Sequence, residues 1–145
     1  MLTYTAEDAP SPADIDAIDA GLHRYNVDHG RVDEVQRVFV FVREEDGRVR
    51  GGAVGRRWGR LCELQQLWVD TPLRRAGVGA RLLAAFEAEG ARLGARTIYL
   101  DTFSFQAPAF YAKCGYAVVH AFEGFPRGQS KYTMQKELSA LEGTE

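Results

Sequence analysis

Lysine is nearly missing from this chain, supplying three of eighteen basic residues, and the other fifteen are arginine. Against twenty acidic residues this leaves a net charge of −2, so neither a general polyanion surface nor a nucleic-acid stripe is expected. Cysteine is scarce too. Cys62 and Cys114 could form one bridge, but 145 residues bury enough surface without a staple, and both are expected reduced. The three histidines make no metal motif: His23 and His29 lie six apart rather than four, and His120 is remote. Apolar runs such as VFVFV (38–42) fall far short of the roughly 20 residues that span a bilayer, and no charged-then-apolar leader opens the chain. These absences point to one cytoplasmic domain, residues 1–145, with no membrane partner.

What is present alternates between helix and strand patterns. LTYTA at 2–6 alternates weakly and is read as a first strand. Ser11 and Pro12 then open a helix whose apolar stripe (Ile15, Ile18, Leu22, Tyr25) closes near Gly30. VFVFV, the turn at Asp46-Gly47, VRGGAVGRRW, a second turn at Gly59 and LCELQQLWV predict an antiparallel meander. Glycines at 51, 52 and 55 weaken its middle strand or leave room beside it. A helix is expected from Gly77 to about Leu93, then a central parallel strand TIYLD (97–101), a short helix over 107–114, and strands YAVVHAF and SKYTMQKEL around the loop EGFPRG. LEGTE should fray. The order β-α-β-β-β-α-β-α-β-β gives an α/β (α+β) domain with a mixed sheet.

RRAGVG (74–79) stands between a strand and a helix. The first amides of a helix lack intrahelical acceptors and, with the macrodipole, attract anions. Gly77 and Gly79 would let a pyrophosphate approach those amides, and Arg74 and Arg75 would add charge at the mouth. The alternative is a structural turn with exposed arginines. No GK[ST] closes a Walker A loop, and no acidic strand end completes a dinucleotide fingerprint.

The stretch LWVDTPLRRAGVGARLL resembles the acyl-CoA signature of the Gcn5-related N-acetyltransferases, with Arg74, Gly77 and Gly79 at its fixed positions. FYAKCGY (110–116) is similar to the same superfamily's second signature, and the resemblance spans about residues 2–138. It implies the family's fold: about seven strands and three or four helices, with the sheet splayed between its fourth strand, ending at Val69, and its fifth, TIYLD. It also implies acetyl-CoA. Backbone groups of Leu67, Trp68 and Val69 would pair with the pantetheine arm, and amides of Arg75, Ala76, Gly77, Val78, Gly79 and Ala80 would hold the pyrophosphate. Relatives carry asparagine where this chain has Ser104, so Ser104 or Gln106 would make that pantetheine contact.

Acetyl transfer needs a neutral amine, help for the developing oxyanion and a proton for the leaving thiolate. By resemblance Tyr111 is the general acid. Glu63, eleven residues before Arg74, matches the placement of a strand glutamate that serves as base in one branch, acting here through water. Strict alternation puts Glu63, Gln65, Leu67 and Val69 on one face, if no bulge intervenes. The acceptor pocket, by family pattern, draws on Tyr25, His29, Trp58, Gln65, Phe122, Phe125 and Arg127. Its default occupant is a small-molecule primary amine. The alternatives are a peptide or protein amine, or a non-catalytic acyl-CoA-binding module of the same fold. Dimerisation is common in such folds, and no stripe specifies it here.

Overall fold

Ser11 opens the first helix as expected: its Oγ accepts from the Asp14 amide at 3.1 Å, and Pro12 occupies the first turn. In the computed structural model, which describes residues 1–138, the chain forms two units, Met1–Glu34 and Val35–Glu145. The expected frayed LEGTE lies outside the described residues. The first unit holds helix α1 (Pro12–Gly30), ended by Arg31 in the left-handed region, and a short 3₁₀ turn at Val32–Glu34. Residues 2–6 are irregular rather than a strand. Five weakly alternating residues gain no sheet partner there, and an unpaired strand does not persist alone.

The second unit is a six-stranded mixed sheet in the order β1-β2-β3-β4-β6-β5, one strand fewer than expected because residues 2–6 do not contribute. Strands β1 (Gln36–Arg43), β2 (Val49–Trp58) and β3 (Leu61–Val69) form the meander. Helix α2 (Val78–Arg92) returns the chain to β4 (Thr97–Phe103). Helix α3 (Pro108–Lys113) precedes the hairpin β5 (Ala117–Phe125) and β6 (Gln129–Glu137). The expected loop EGFPRG is shorter than its sequence suggests. Glu123 to Phe125 extend β5, and only Pro126–Gly128 turns.

One face of the sheet is covered by α2, which buries Leu82, Leu83 and Phe86 against Val38, Ala53, Cys62, Leu64, Ile98 and Leu100. These residues alternate along their strands, so their neighbours Phe39, Phe41, Glu63, Tyr99 and Asp101 point to the opposite, outer face. Gly55 permits the closest approach. A Cβ there would lie 2.0 Å from the Glu63 carbonyl oxygen and 2.6 Å from the Phe86 ring, so the room foreseen beside β2 is taken by α2's own phenylalanine.

At Gly55 the β2–β3 register also slips: Val54 faces Gln66 while Gly55 faces Leu64, leaving Gln65 as an extra residue. This bulge corrects the expected face assignment. Beyond it Leu67 and Val69 return to the core side with Cys62 and Leu64, and Glu63 shares the outer face with Trp68 instead. The second consequence is on the other edge. β3 and β4 pair in parallel only over Leu61–Thr97, Cys62–Ile98 and Glu63–Tyr99, and then part. The splay expected between these two strands is therefore present.

Candidate functional site

The turn after β3 is built before its helix. The Asp70 carboxylate accepts from the Thr71 amide at 2.9 Å and from Arg50 Nε at 2.8 Å, while the Asp70 amide donates to the Arg50 carbonyl. Arg50 is buried and also pairs with Glu44, which pins the turn to the β1–β2 hairpin. Arg74 Nε donates back to the Val69 carbonyl at 2.8 Å, so that carbonyl already carries one bond. Arg75 and Gly77 adopt positive φ of 66° and 80°, and Gly77 caps α2. Left-handed residues in such a turn favour amides gathered on one side. The first amide of the helix to find an acceptor is that of Arg81, bonded to the Gly77 carbonyl at 3.1 Å. Among the described residues no hydrogen bond uses the amides of Arg75 to Ala80. A concave run of six donors at a helix start suits a pyrophosphate.

Beside this turn α3 is docked by Phe110, whose ring lies 3.5 Å from where a Gly79 Cβ would stand. That contact brings the next residue, Tyr111, to the splay. Its ring is held edge-on by Phe110 and Tyr116 at 5.2 and 5.8 Å, and it is only 8% exposed. Burial pushes its phenol up to about 12, and its hydroxyl makes no hydrogen bond among the described residues. Tyr116 is fixed in turn by Glu87, which accepts from its hydroxyl at 2.7 Å and from Lys136 Nζ at 3.0 Å.

Between β3 and β4 the splay opens a cleft of about 560 Å³. Of the expected site residues, Gln65, Leu67, Trp68, Gln106 and Tyr111 line it together. Gln106 is oriented through its Oε1, which accepts from the Phe103 amide at 2.7 Å, so its side-chain amide nitrogen is left for a ligand. Ser104 does not line the cleft. Its hydroxyl bonds Gln129 and accepts from the Ser130 amide at 2.9 Å, tying β4 to β6. Glu63 does not line it either: on the outer face its carboxylate accepts from Arg56 Nε at 3.2 Å.

The remaining expected residues are dispersed. Trp58 is half-exposed at the end of β2, opposite Leu61. Phe122 is exposed on β5, Phe125 packs edge-on against Phe103 at 5.2 Å, and Arg127 forms the β5–β6 turn at φ 61°. Tyr25 and His29 belong to the first unit, where their rings stack at 4.1 Å and His29 Nδ1 lies 2.9 Å from the Tyr25 carbonyl. Several cleft residues lay outside the sequence reading, Phe41 and Asp101 among them. Both stand at outward positions of strands whose inward residues dominate the apolar pattern, which is the signal that would have found them.

Set against known proteins, residues 4–116 match the Acetyltransferase (GNAT) family, a match that runs across both units. The chain is 36% identical over 95 residues to a blasticidin-S acetyltransferase of Streptomyces morookaense, covering 65% of this chain and 70% of that protein. An acetyltransferase of Agrobacterium fabrum is 27% identical over 122 residues, covering 84% and 89% of the two chains. The crystal structure of an acetyltransferase from Bacillus cereus superposes with a TM-score of 0.77 at 31% identity, covering 92% of this chain and 98% of that one. With a family match over most of its length, the chain belongs to the GNAT acetyltransferase family and is an acetyl-CoA-dependent N-acetyltransferase.

Proposed function

We propose that this enzyme transfers the acetyl group of acetyl-CoA to the primary amine of a small molecule by direct attack within the β3–β4 cleft. The observation that carries this reading is the placement of Tyr111, with its unpaired hydroxyl, on the same cleft as the parted strands and next to the turn with six free amides. The amides of Arg75 to Ala80 hold the pyrophosphate, and open backbone groups of Leu67 and Trp68, with the Gln106 side chain, face the pantetheine arm. Tyr111 gives its proton to the departing thiolate. Burial holds the phenol protonated at neutral pH, which keeps its proton available to the leaving group and excludes it as the base; the proton the new amide nitrogen sheds restores it. The ammonium proton of the acceptor leaves to water on the outer face. Glu63, held by Arg56, does not receive it in this reading.

A small-molecule acceptor is supported by the modest, concave cleft and by the antibiotic acceptor named for the Streptomyces relative. No described helix is long and apolar enough to cross a membrane, which is compatible with a cytoplasmic site of action. Calorimetric titration with acetyl-CoA and desulfo-CoA, beside R74A and R75A, tests the coenzyme half. Loss of about tenfold in affinity in R75A is expected for one charged phosphate contact. R74A should also loosen β3, since it frees the Val69 carbonyl. Absence of binding by either coenzyme form in the unaltered enzyme would refute the reading.

A further inference from the structure

The acceptor must reach the cleft from the outer face, because α2 and α3 occupy the other. We infer that Asp101 is the residue that receives the acceptor's ammonium group, and that the acceptor carries this cation on a flat, π-rich body. This rests on the assignment of acetyl transfer to the β3–β4 cleft.

Asp101 lies on β4, two residues past the last β3–β4 pair, where the strands have just parted. Among the described residues lining the cleft it is the only one that carries a charge. Its position is fixed from β6: Thr133, directly opposite in register, donates its hydroxyl to Asp101 Oδ1 at 2.7 Å. Lys131 Nζ stands 3.8 Å from Oδ2, beyond hydrogen-bond reach, and lies 5.9 Å from the centre of the Phe103 ring. Lys131 and Asp101 thus form an ion pair without a hydrogen bond, and Oδ2 can still accept one from an incoming donor. Glu63, the other outer-face carboxylate near the splay, is already bonded to Arg56 and lies off the cleft.

A primary amine is protonated in water at neutral pH and needs an anion on its way in. One carboxylate oriented by a hydroxyl, with an open oxygen, supplies it. The walls define what travels with the cation. Phe41 and Trp68 line the same cleft, and each leaves about half of its surface exposed. Large apolar rings left half in water at the mouth of a site favour a planar partner that covers them, and their faces attract cations. Gln65, the extra residue of the bulge, and Gln66 after it offer amides to the edge of such a body.

The test uses tryptamine and blasticidin S as flat cationic probes, tryptophol as the neutral counterpart of tryptamine, and n-hexylamine as a cation without a ring. Binding is read by calorimetry on the full-length enzyme saturated with desulfo-CoA, and turnover by thiol release with acetyl-CoA. At least one flat amine should bind about tenfold more tightly than tryptophol and n-hexylamine, as expected for one charge-assisted hydrogen bond. Asp101→Asn keeps an oxygen for Thr133 and should remove that preference, raising acceptor KM about tenfold or more. Asp101→Glu should recover part of it. Acetyl-CoA affinity should stay within about twofold in both variants, because the coenzyme contacts lie elsewhere. Equal binding of amine and alcohol, no binding of any probe, or an unchanged KM in Asp101→Asn would overturn the inference while acetyl-CoA binding persists. Loss of acetyl-CoA binding in the unaltered enzyme would instead remove the reading beneath it.

Discussion

The two sides of the β3–β4 cleft are made in different ways. On the inner side the ligand is offered backbone: the free amides of Arg75 to Ala80 and the open edge of β3, set by left-handed residues and held by the buried Arg50 and the partly buried Phe110. On the outer side the ligand is offered side chains, those of Phe41, Trp68 and Asp101. Backbone recognition tolerates almost any side chain except at the few positions that bend the chain, so those positions become a motif. Side-chain recognition can change with one substitution and leaves no spacing behind. One donor can thus be kept across a family while acceptors vary.

The sharpest way to separate the two sides is at the atom between them. Tyr111→Phe should lower kcat about a thousandfold, in the range of a lost general acid, and leave acetyl-CoA affinity within about twofold. Because burial raises the phenol to about 12, ionisation of Tyr111 should produce no alkaline loss of rate between pH 8 and 10. The same burial acts on stability. Burial raises Tyr111 above the ordinary phenol value of 10, and Cys62 from 9 to about 11. Groups raised in the folded state favour folding fully below their unfolded values and lose that contribution as pH climbs through the folded ones. Urea midpoints should therefore hold to about pH 9 and fall between about 9 and 12. A tyrosine variant that keeps most of its rate would erase the chemical distinction between the two sides.

Gly55 tests what the sides share. Gly55→Ala would force a methyl group against the Glu63 carbonyl and the Phe86 ring, at a cost of about 3 kcal/mol in chemical denaturation. The bulge at Gln65 would be disturbed with it, so coenzyme and acceptor binding should weaken together. If only one weakens, the bulge serves one side, and the common frame proposed here is wrong.

The sequence made the inner side readable and much of the outer side obscure, for the same physical reason. Gly77 at φ 80° and the arginines around it leave a fixed spacing, and Tyr111 follows in a helix whose Pro108 and Gly115 mark both ends. The element order from Ser11 onward followed from the residue pattern, and the splay from the family resemblance that this spacing carries. LCELQQLWV alternates acceptably in either register, and nothing in it reveals that Gln65 is extra. The slip is imposed by Gly55 and Phe86, from another strand and a helix. Reading straight through the bulge grouped Glu63 with Leu67 and Val69, although it stands with Trp68. Ser104 was carried over by position, but its hydroxyl is committed to Gln129 and Ser130 across the sheet. Local spacing encodes turns. Which face a side chain takes after a bulge depends on partners distant in sequence.

Glu63 gives the smallest expected effect and the finest test of this division. Its carboxylate meets Arg56 at 3.2 Å with the two side chains 24% and 55% exposed, the setting of an ordinary surface ion pair. Such pairs are screened by water, so Glu63→Gln should change stability by about 0.5 kcal/mol or less. As it does not line the cleft, kcat/KM should fall less than about threefold. The pH–rate profile is the discriminating measurement. If Glu63 relays the acceptor's proton through water, Glu63→Gln would lose about a hundredfold and reshape the acidic limb of kcat/KM, even with stability unchanged. Arg56 would then have to release the carboxylate when the acceptor enters, and Arg56→Ala would raise the rate rather than leave it alone. With an unaltered limb, the outer face retains one functional carboxylate, on β4, and the pairing of Glu63 with Arg56 belongs to the sheet.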